Sequence, residues 1–193
     1  GLAIGLAAIK IAERPADSPG SAVLCCIEGT RPILVEVQAL VSTSAYGYAK
    51  RTAVGLDQTR LSLLLAVMEK RASLALGGDD VYVNLAGGIS VDEPAVDLAV
   101  VAAVASSFRN RPIAQGTAVF GEVGLTGELR PVRMTAARLD EAERLGFSRA
   151  VIAAGGTGPR AGSAHGNGNG GRLALVEAES VAEAVRLALE GGS

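Results

Sequence analysis

The apolar positions change period several times along the chain, and each change marks an element. Residues 21–29, SAVLCCIEG, and 31–42, RPILVEVQALVS, are β-rich and are separated by a Gly-Thr-Arg-Pro turn. The second run alternates in part, with Ile33, Val35 and Val37 on one face and Leu34, Glu36 and Gln38 on the other. Residues 42–55 are small and polar, which predicts a loop running into a short extended piece. From Asp57 the period becomes helical, with Leu61, Leu64, Leu65 and Met68 at i, i+3, i+4 and i+7. That helix is expected to end near Gly77 and Gly78.

Residues 81–88, VYVNLAGG, read as a short buried strand. After them Asp92 is expected to cap a helix with Pro94 in its first turn. The helix reaches about Arg109 and is nearly all Ala, Val and Leu, the pattern of a helix buried on most sides. Residues 117–132 predict a hairpin turning at Gly-Leu-Thr-Gly. Thr135 to Leu145 predicts an amphipathic helix closed by Gly146, and 149–154 another strand. A glycine-rich loop follows over 155–171. Ser180 and Glu183 then form a capping box for the last helix. Strands and helices interleave, so the expected fold class is α/β or α+β.

Composition narrows the class. The chain has 193 residues, 49% of them hydrophobic, which suits one domain with a sizeable core and excludes a disordered chain. Apolar runs stop short of membrane-spanning length, and GLAIGLAAIK at the start lacks the basic region and cleavage site of an export signal. A cytoplasmic location without membrane contact is expected. The chain opens with Gly1 rather than Met, so it is expected to be part of something longer. Its organisation is expected to be an arm over 1–21 and one domain over 22–193. Cys25 and Cys26 are adjacent, so a strained mutual disulfide and a zinc site are both poor readings, and buried strand positions are the better one.

The formal net charge of −2 argues weakly against a generic nucleic-acid binder. Its distribution is uneven. Residues 101–138 carry Arg109, Arg111, Arg130, Arg133 and Arg138 against Glu122 and Glu128, whereas 139–193 is acidic. Lys50, Arg51 and Arg60 surround only Asp57. A fold could gather these cations into a local basic face. No glycine-rich run ends in Gly-Lys-Ser/Thr, so nucleotide hydrolysis is not expected of this chain. His165, the only histidine, sits in the glycine-rich loop, where it can complete neither a triad nor a metal site alone. The acid pairs Asp79-Asp80 and Asp92-Glu93 stand beside a turn and a helix start, which suits capping and solvation. No metal or cofactor is expected in this chain.

The runs EGTRPILVEVQALV, RTAVGLDQTRLSLLLAVMEK, DVYVNLAGGISVDEPAVDLAVVAAVASSFRNRPI and FGEVGLTGELRPV follow one another between about Ala22 and Ala154. Together they resemble the C-terminal Lon-protease-like domain of the bacterial RadA (Sms) DNA repair family. The resemblance implies a Lon proteolytic-domain fold of the ribosomal protein S5 domain 2 type. It also implies a preceding zinc-binding segment and RecA-like ATPase, so that ATP, Mg and Zn belong to the full-length protein. A hexameric ring and partners in the recombinase machinery are implied as well.

Lon peptidases use a serine–lysine dyad, and the resemblance places Ala95 at the serine position and Ala136 at the lysine position. A methyl can neither attack a carbonyl nor take a proton. Ser90 and Thr135 are the conceivable substitutes, but the only lysines are Lys10, Lys50 and Lys70. The expectation is therefore a non-catalytic platform that holds DNA by its phosphates while an ATP-driven motor moves branches. Arg31, Arg51, Arg60 and Arg130 occupy family motif positions, with Lys50 and Arg111 as weaker candidates. Arginine suits the task because its planar fork grips phosphate by two hydrogen bonds. Only Tyr46 and Tyr48 are aromatic near these positions, so base stacking is not a strong expectation. The alternatives are a peptidase or polypeptide binder with an atypical site, and a pure oligomerisation module.

Overall fold

A computed structural model describes residues 18–45, 47–157 and 173–190. Most of the expected arm, most of the glycine-rich loop with His165, and Lys10 and Tyr46 lie outside the described residues. The first strands, β1 (Ser21–Glu28) and β2 (Arg31–Thr43), form a hairpin whose two-residue turn has Gly29 at φ 64°. Glycine meets the positive φ that such a turn demands without a Cβ penalty. Because β1 begins at Ser21, the last residue expected in the arm belongs to the sheet.

The remaining strands are β3 (Arg51–Val54), β4 (Asp79–Leu85), β5 (Thr117–Phe120), β6 (Glu122–Val123), β7 (Leu129–Arg130), β8 (Arg149–Ala153) and β9 (Ala174–Ala178). Seven of them build one sheet in the order β3-β4-β2-β1-β5-β8-β9. Only β2 runs against the others. The sheet therefore has an amino end, where the six parallel strands start, and a carboxyl end, where they finish. The fold is α/β with a mostly parallel central sheet. The expected hairpin is confined to β6 and β7, since β5 lies in the large sheet between β1 and β8.

The helices are α1 (Gln58–Arg71), α2 (Val96–Phe108), α3 (Thr135–Arg144) and α4 (Val181–Leu189). The apolar run of α2 is explained by its place: it packs on β1, β2 and β5 between α1 and α4, and every residue from Val96 to Ser106 is buried. Asp92 does not cap it. Ala95 stands at the cap position without a side-chain bond, and the backbone of Gly121 closes the first turn instead, accepting from Leu98 at 3.1 Å and donating to Ala95 at 3.2 Å. At the other end of α2, Ser106 Oγ accepts from Gly20 N and donates to the Arg111 carbonyl, and Ser107 Oγ accepts from Val41 N.

Helix α1 starts where expected, with Asp57 accepting from Arg60 N at 2.7 Å. It stops at Arg71, short of Gly77, because Ser73 turns to φ 54° and the N–H groups of Ala72 and Leu74 both return to the Met68 carbonyl. Leu74 and Leu76 are fully buried beyond that stop, which is why the apolar pattern reads on past the helix. Gln58 protects the open edge of β3: its amide accepts from Ala53 N at 3.0 Å and donates to the Arg51 carbonyl at 2.7 Å. Two backbone groups that could template another strand are thereby occupied.

One ion pair joins segments far apart in sequence. Arg138 of α3 is almost fully buried and sends Nη2 to Glu93 at 2.6 Å and Nη1 to both Glu93 and the Cys25 carbonyl, at 2.9 and 2.6 Å. Its Nε donates to the Arg133 carbonyl, and its guanidinium lies 5.8 Å from the centre of the Phe120 ring. Glu93 also accepts from Ile27 N at 2.9 Å. Glu93 is thus part of the fold's interior wiring rather than a solvated acid at a helix start.

Two outcomes follow from this packing. Breaking the pair from one side leaves a buried charge unmatched, so Arg138→Met is expected to cost about 3–5 kcal/mol in urea unfolding. Adding Glu93→Gln to it should recover part of that loss, and single-variant costs near zero would contradict the role given to the pair. Burial also pushes the thiols of Cys25 and Cys26 up to about 12. Almost no thiolate is then present at neutral pH. A thiol reagent should leave both unmodified in the folded chain and react with both in denaturant.

Candidate functional site

In open α/β sheets ligands gather outside the carboxyl ends of the strands, so that end is the first place to look for chemistry. Ala95 and Ala136, the two alanines expected at dyad positions, both lie there. Ala95, at the start of α2, is fully buried, and Ala136, in the first turn of α3, is exposed. Thr135 is buried with its hydroxyl donating to the Val132 carbonyl at 2.8 Å, while Ser90 sits exposed in the loop before α2. Met134, just before α3, holds a left-handed conformation at φ 57°, which a long side chain adopts only at a cost.

The polar groups around these alanines are already engaged. Arg60 of α1 pairs with the fully buried Asp97 of α2, Nε donating to Oδ1 at 2.8 Å and Nη2 to Oδ2, and it also reaches the Val123 carbonyl at 3.1 Å. Asp97 accepts from Val123 N at 3.0 Å. Burial pushes the Asp97 carboxyl up while the guanidinium and the N–H hold it down, and the same hydrogen bond raises Arg60. Arg130 pairs with Glu122 at 3.3 Å and Glu128 at 2.5 Å. Glu128 is lowered to about 2, chiefly by the Thr126 hydroxyl. Arg31, exposed at the start of β2, helps to lower Glu141 of α3, whose main partner is Arg144. A cleft of about 330 Å³ opens beside α2, walled by Asp57, Arg60, Asp92, Glu93, Asp97 and Glu122. Leu56, Val91, Pro94 and Val96 line the rest, so that its charged walls hold five carboxylates to one guanidinium.

The six sequence-predicted cations do not form one patch. Arg31, Arg60 and Arg130 lie at the carboxyl end among these carboxylates. Lys50, Arg51 and Arg111 lie at the amino end, because β3 begins with Arg51 and Arg111 follows the end of α2. Strands of about seven residues at ~3.3 Å each separate the two groups by roughly 20 Å.

At the amino end a corner forms where β3 and β4 start and α2 finishes. Arg51 spends its donors on backbone, reaching the carbonyls of Leu76 at 2.9 Å, Asp79 and Lys50. Its charge remains, since carbonyl groups bind a guanidinium without neutralising it. Asp80 accepts from Lys50 N at 2.7 Å. Arg109 and Arg111 are exposed on either side of Asn110, whose φ of 48° turns the chain back. Arg109 is an addition to the sequence-predicted set. The Arg-Asn-Arg spacing with a turn-forming Asn between is the signal that could have found it. Arg109 and Arg111 stand on the turn after α2, where Ser106 and Ser107 bond Gly20, Val41 and the Arg111 carbonyl.

Comparison with known proteins bears on both ends. A family model described as subunit ChlI of Mg-chelatase matches residues 48–155. That range takes in Lys50, Arg51, Arg60, Ala95, Arg109, Arg111, Arg130 and Ala136, and leaves out Arg31. The chain is 45% identical to the DNA repair protein RadA of Bacillus subtilis over 187 residues, which is 95% of this chain and 38% of that protein. It is 49% identical to the DNA repair protein RadA of Listeria monocytogenes over 144 residues, 75% of this chain and 32% of that one. The same protein of Streptococcus pneumoniae is 49% identical over 144 residues, again 75% of this chain and 34% of that one. The chain spans about a third of the length of these curated relatives. With more than half of its residues inside the family match, including both alanine positions and the basic corner, the chain belongs to the family described as subunit ChlI of Mg-chelatase.

Proposed function

We propose that this chain is the DNA-contacting, non-peptidase part of a cytoplasmic DNA repair protein of the RadA type, with a Lon-like proteolytic-domain fold. The relatives' being DNA repair proteins supports the repair role. The observation that carries DNA contact is the amino-end corner, where Arg51 starts β3 beside Asp79 and Asp80 and the exposed Arg109 and Arg111 follow the end of α2. Phosphates are held there without reading of base edges, which is the mode expected of cations on loops and strand ends. Six copies in a ring would repeat the corner into a continuous positive rim despite the net charge of −2. ATP, Mg and Zn would act in other parts of the longer protein, whose motor activity and recombinase partners lie beyond this chain.

The absence of peptidase activity is part of the proposal. Methyl groups stand at 95 and 136, and the acids and arginines beside them are tied into the Glu93–Arg138 and Arg60–Asp97 pairs. A second reading, binding of a basic polypeptide segment, is favoured by the acidic cleft beside α2.

The test is DNA binding by the chain across a salt series, with its mass in solution recorded alongside. Binding should weaken steeply with salt, and Arg109→Ala with Arg111→Ala should lower the slope of log affinity against log salt by about 2. Arg31→Ala with Arg130→Ala should change it less. Equal losses from both pairs would reject the amino-end corner, and loss of a ring mass in the first pair would make those arginines subunit bridges instead. Casein should remain intact after prolonged incubation, and any cleavage abolished by Ser90→Ala would reinstate a peptidase.

A further inference from the structure

We infer that Tyr48 is a stacking platform for an unpaired base at the basic corner, which makes the corner selective for single strands over duplex. The inference rests on the DNA-contacting reading above and adds a strand form and a residue to it.

Tyr48 is 85% exposed, the most exposed large apolar side chain among the described residues. Such exposure is notable in a chain with 3% aromatics and no Trp. Its backbone is nevertheless fastened. Ser44 Oγ donates to the Tyr48 carbonyl at 3.1 Å, and Ser44 N donates to the Gly78 carbonyl at 3.2 Å. Two residues later Lys50 N is held by Asp80, and Arg51 clamps the carbonyls of Leu76 and Asp79. Gly47, at φ 73°, makes the bend that turns the next residue outward. The ring thus projects from an anchored backbone beside two cations, and Arg109 and Arg111 stand at the same end of the sheet.

These parts suit a single strand. Phosphates of a strand lying across the corner would meet the arginines, and a splayed base would cover the Tyr48 face and remove it from water. In a duplex the base faces are already stacked on one another, so Tyr48 has nothing to gain there. Stacking tolerates any base, which fits a contact that reads no sequence.

Fluorescence anisotropy with the whole chain tests this, using labelled strands of about twenty units, longer than one stacking site needs. The probes are oligothymidylate, an abasic deoxyribose-phosphate strand and a duplex of equal length. Tyr48→Ala should bind oligothymidylate roughly tenfold more weakly while leaving the abasic strand and duplex unchanged. Tyr48→Phe should retain wild-type binding, because the ring and not the hydroxyl does the stacking. Arg109→Ala with Arg111→Ala should weaken all three probes alike. Should Tyr48→Ala bind oligothymidylate as the wild type does while the arginine variant loses it, stacking is rejected and the basic corner stands. If the wild type binds none of the probes at low salt, the DNA-contacting reading fails and this inference fails with it.

Discussion

The buried guanidinium of Arg138 sets the terms for the carboxyl end of the sheet. It belongs to α3, yet its bonds go to the Cys25 carbonyl in β1, to the Glu93 carboxylate ahead of α2 and to the Arg133 carbonyl ahead of its own helix. A charge taken out of water this completely is tolerable only when its donors are matched, and here four bonds fall on three segments. Glu93 in turn holds Ile27 N, so the end of β1 is fixed by the same group. The loop carrying Ala95 and the start of the helix carrying Ala136 are therefore positioned by one interaction.

The Arg60–Asp97 pair extends the same principle sideways. Asp97 is fully buried and would be costly alone, but Arg60 and Val123 N divide its lone pairs between them, joining α1, α2 and β6. With Arg130 held by Glu122 and Glu128, arginines at the carboxyl end are largely matched by carboxylates. The amino-end corner is different in kind. Arg51 is bound there only by carbonyl groups, and Ser106 and Ser107 use their hydroxyls to seal α2 against β1 and β2, which fixes where Arg109 and Arg111 emerge. Polarity between the two ends comes from how charges are paired, and the net charge of the chain says nothing of it.

Much of the fold was legible because it depends on local pattern. The two β-rich segments with their turn, the all-apolar α2 and the start of α1 at Asp57 follow from period and turn chemistry, and the α/β class follows from interleaved strands and helices. The Ser180 cap is legible too, accepting from Glu183 N at 3.3 Å, although Glu183 bonds back to Glu179 N rather than to the cap residue itself. What was not legible depends on long-range partners. Asp92 has the right residue type for a cap, yet Gly121 arrives from another strand and closes the helix with its backbone. Leu74 and Leu76 continue the apolar pattern of α1 although the chain has left the helix. Glu93 reads as a surface acid until Arg138, 45 residues later, is brought beside it.

The same limit governs the candidate site. A resemblance can single out an arginine without saying whether it serves the fold or a ligand. Arg60 and Arg51 are expected to bind on that ground, and both have their donors committed inside the chain; Arg109, which is not in the expected set, lies on the surface of the corner. A phosphate contact needs donors that are not already spent. Arg51 has spent its donors on carbonyls beside Asp79 and Asp80, whereas Arg109 and Arg111 are exposed and placed to contribute contact. Strand direction decides which residues join them: β3 and β5 both start at the amino end, which brings residues 50–51 and 109–111 to one end of the sheet although α1, β4 and α2 separate them in sequence. A basic corner assembled in this way is a property of topology, invisible to any window along the chain.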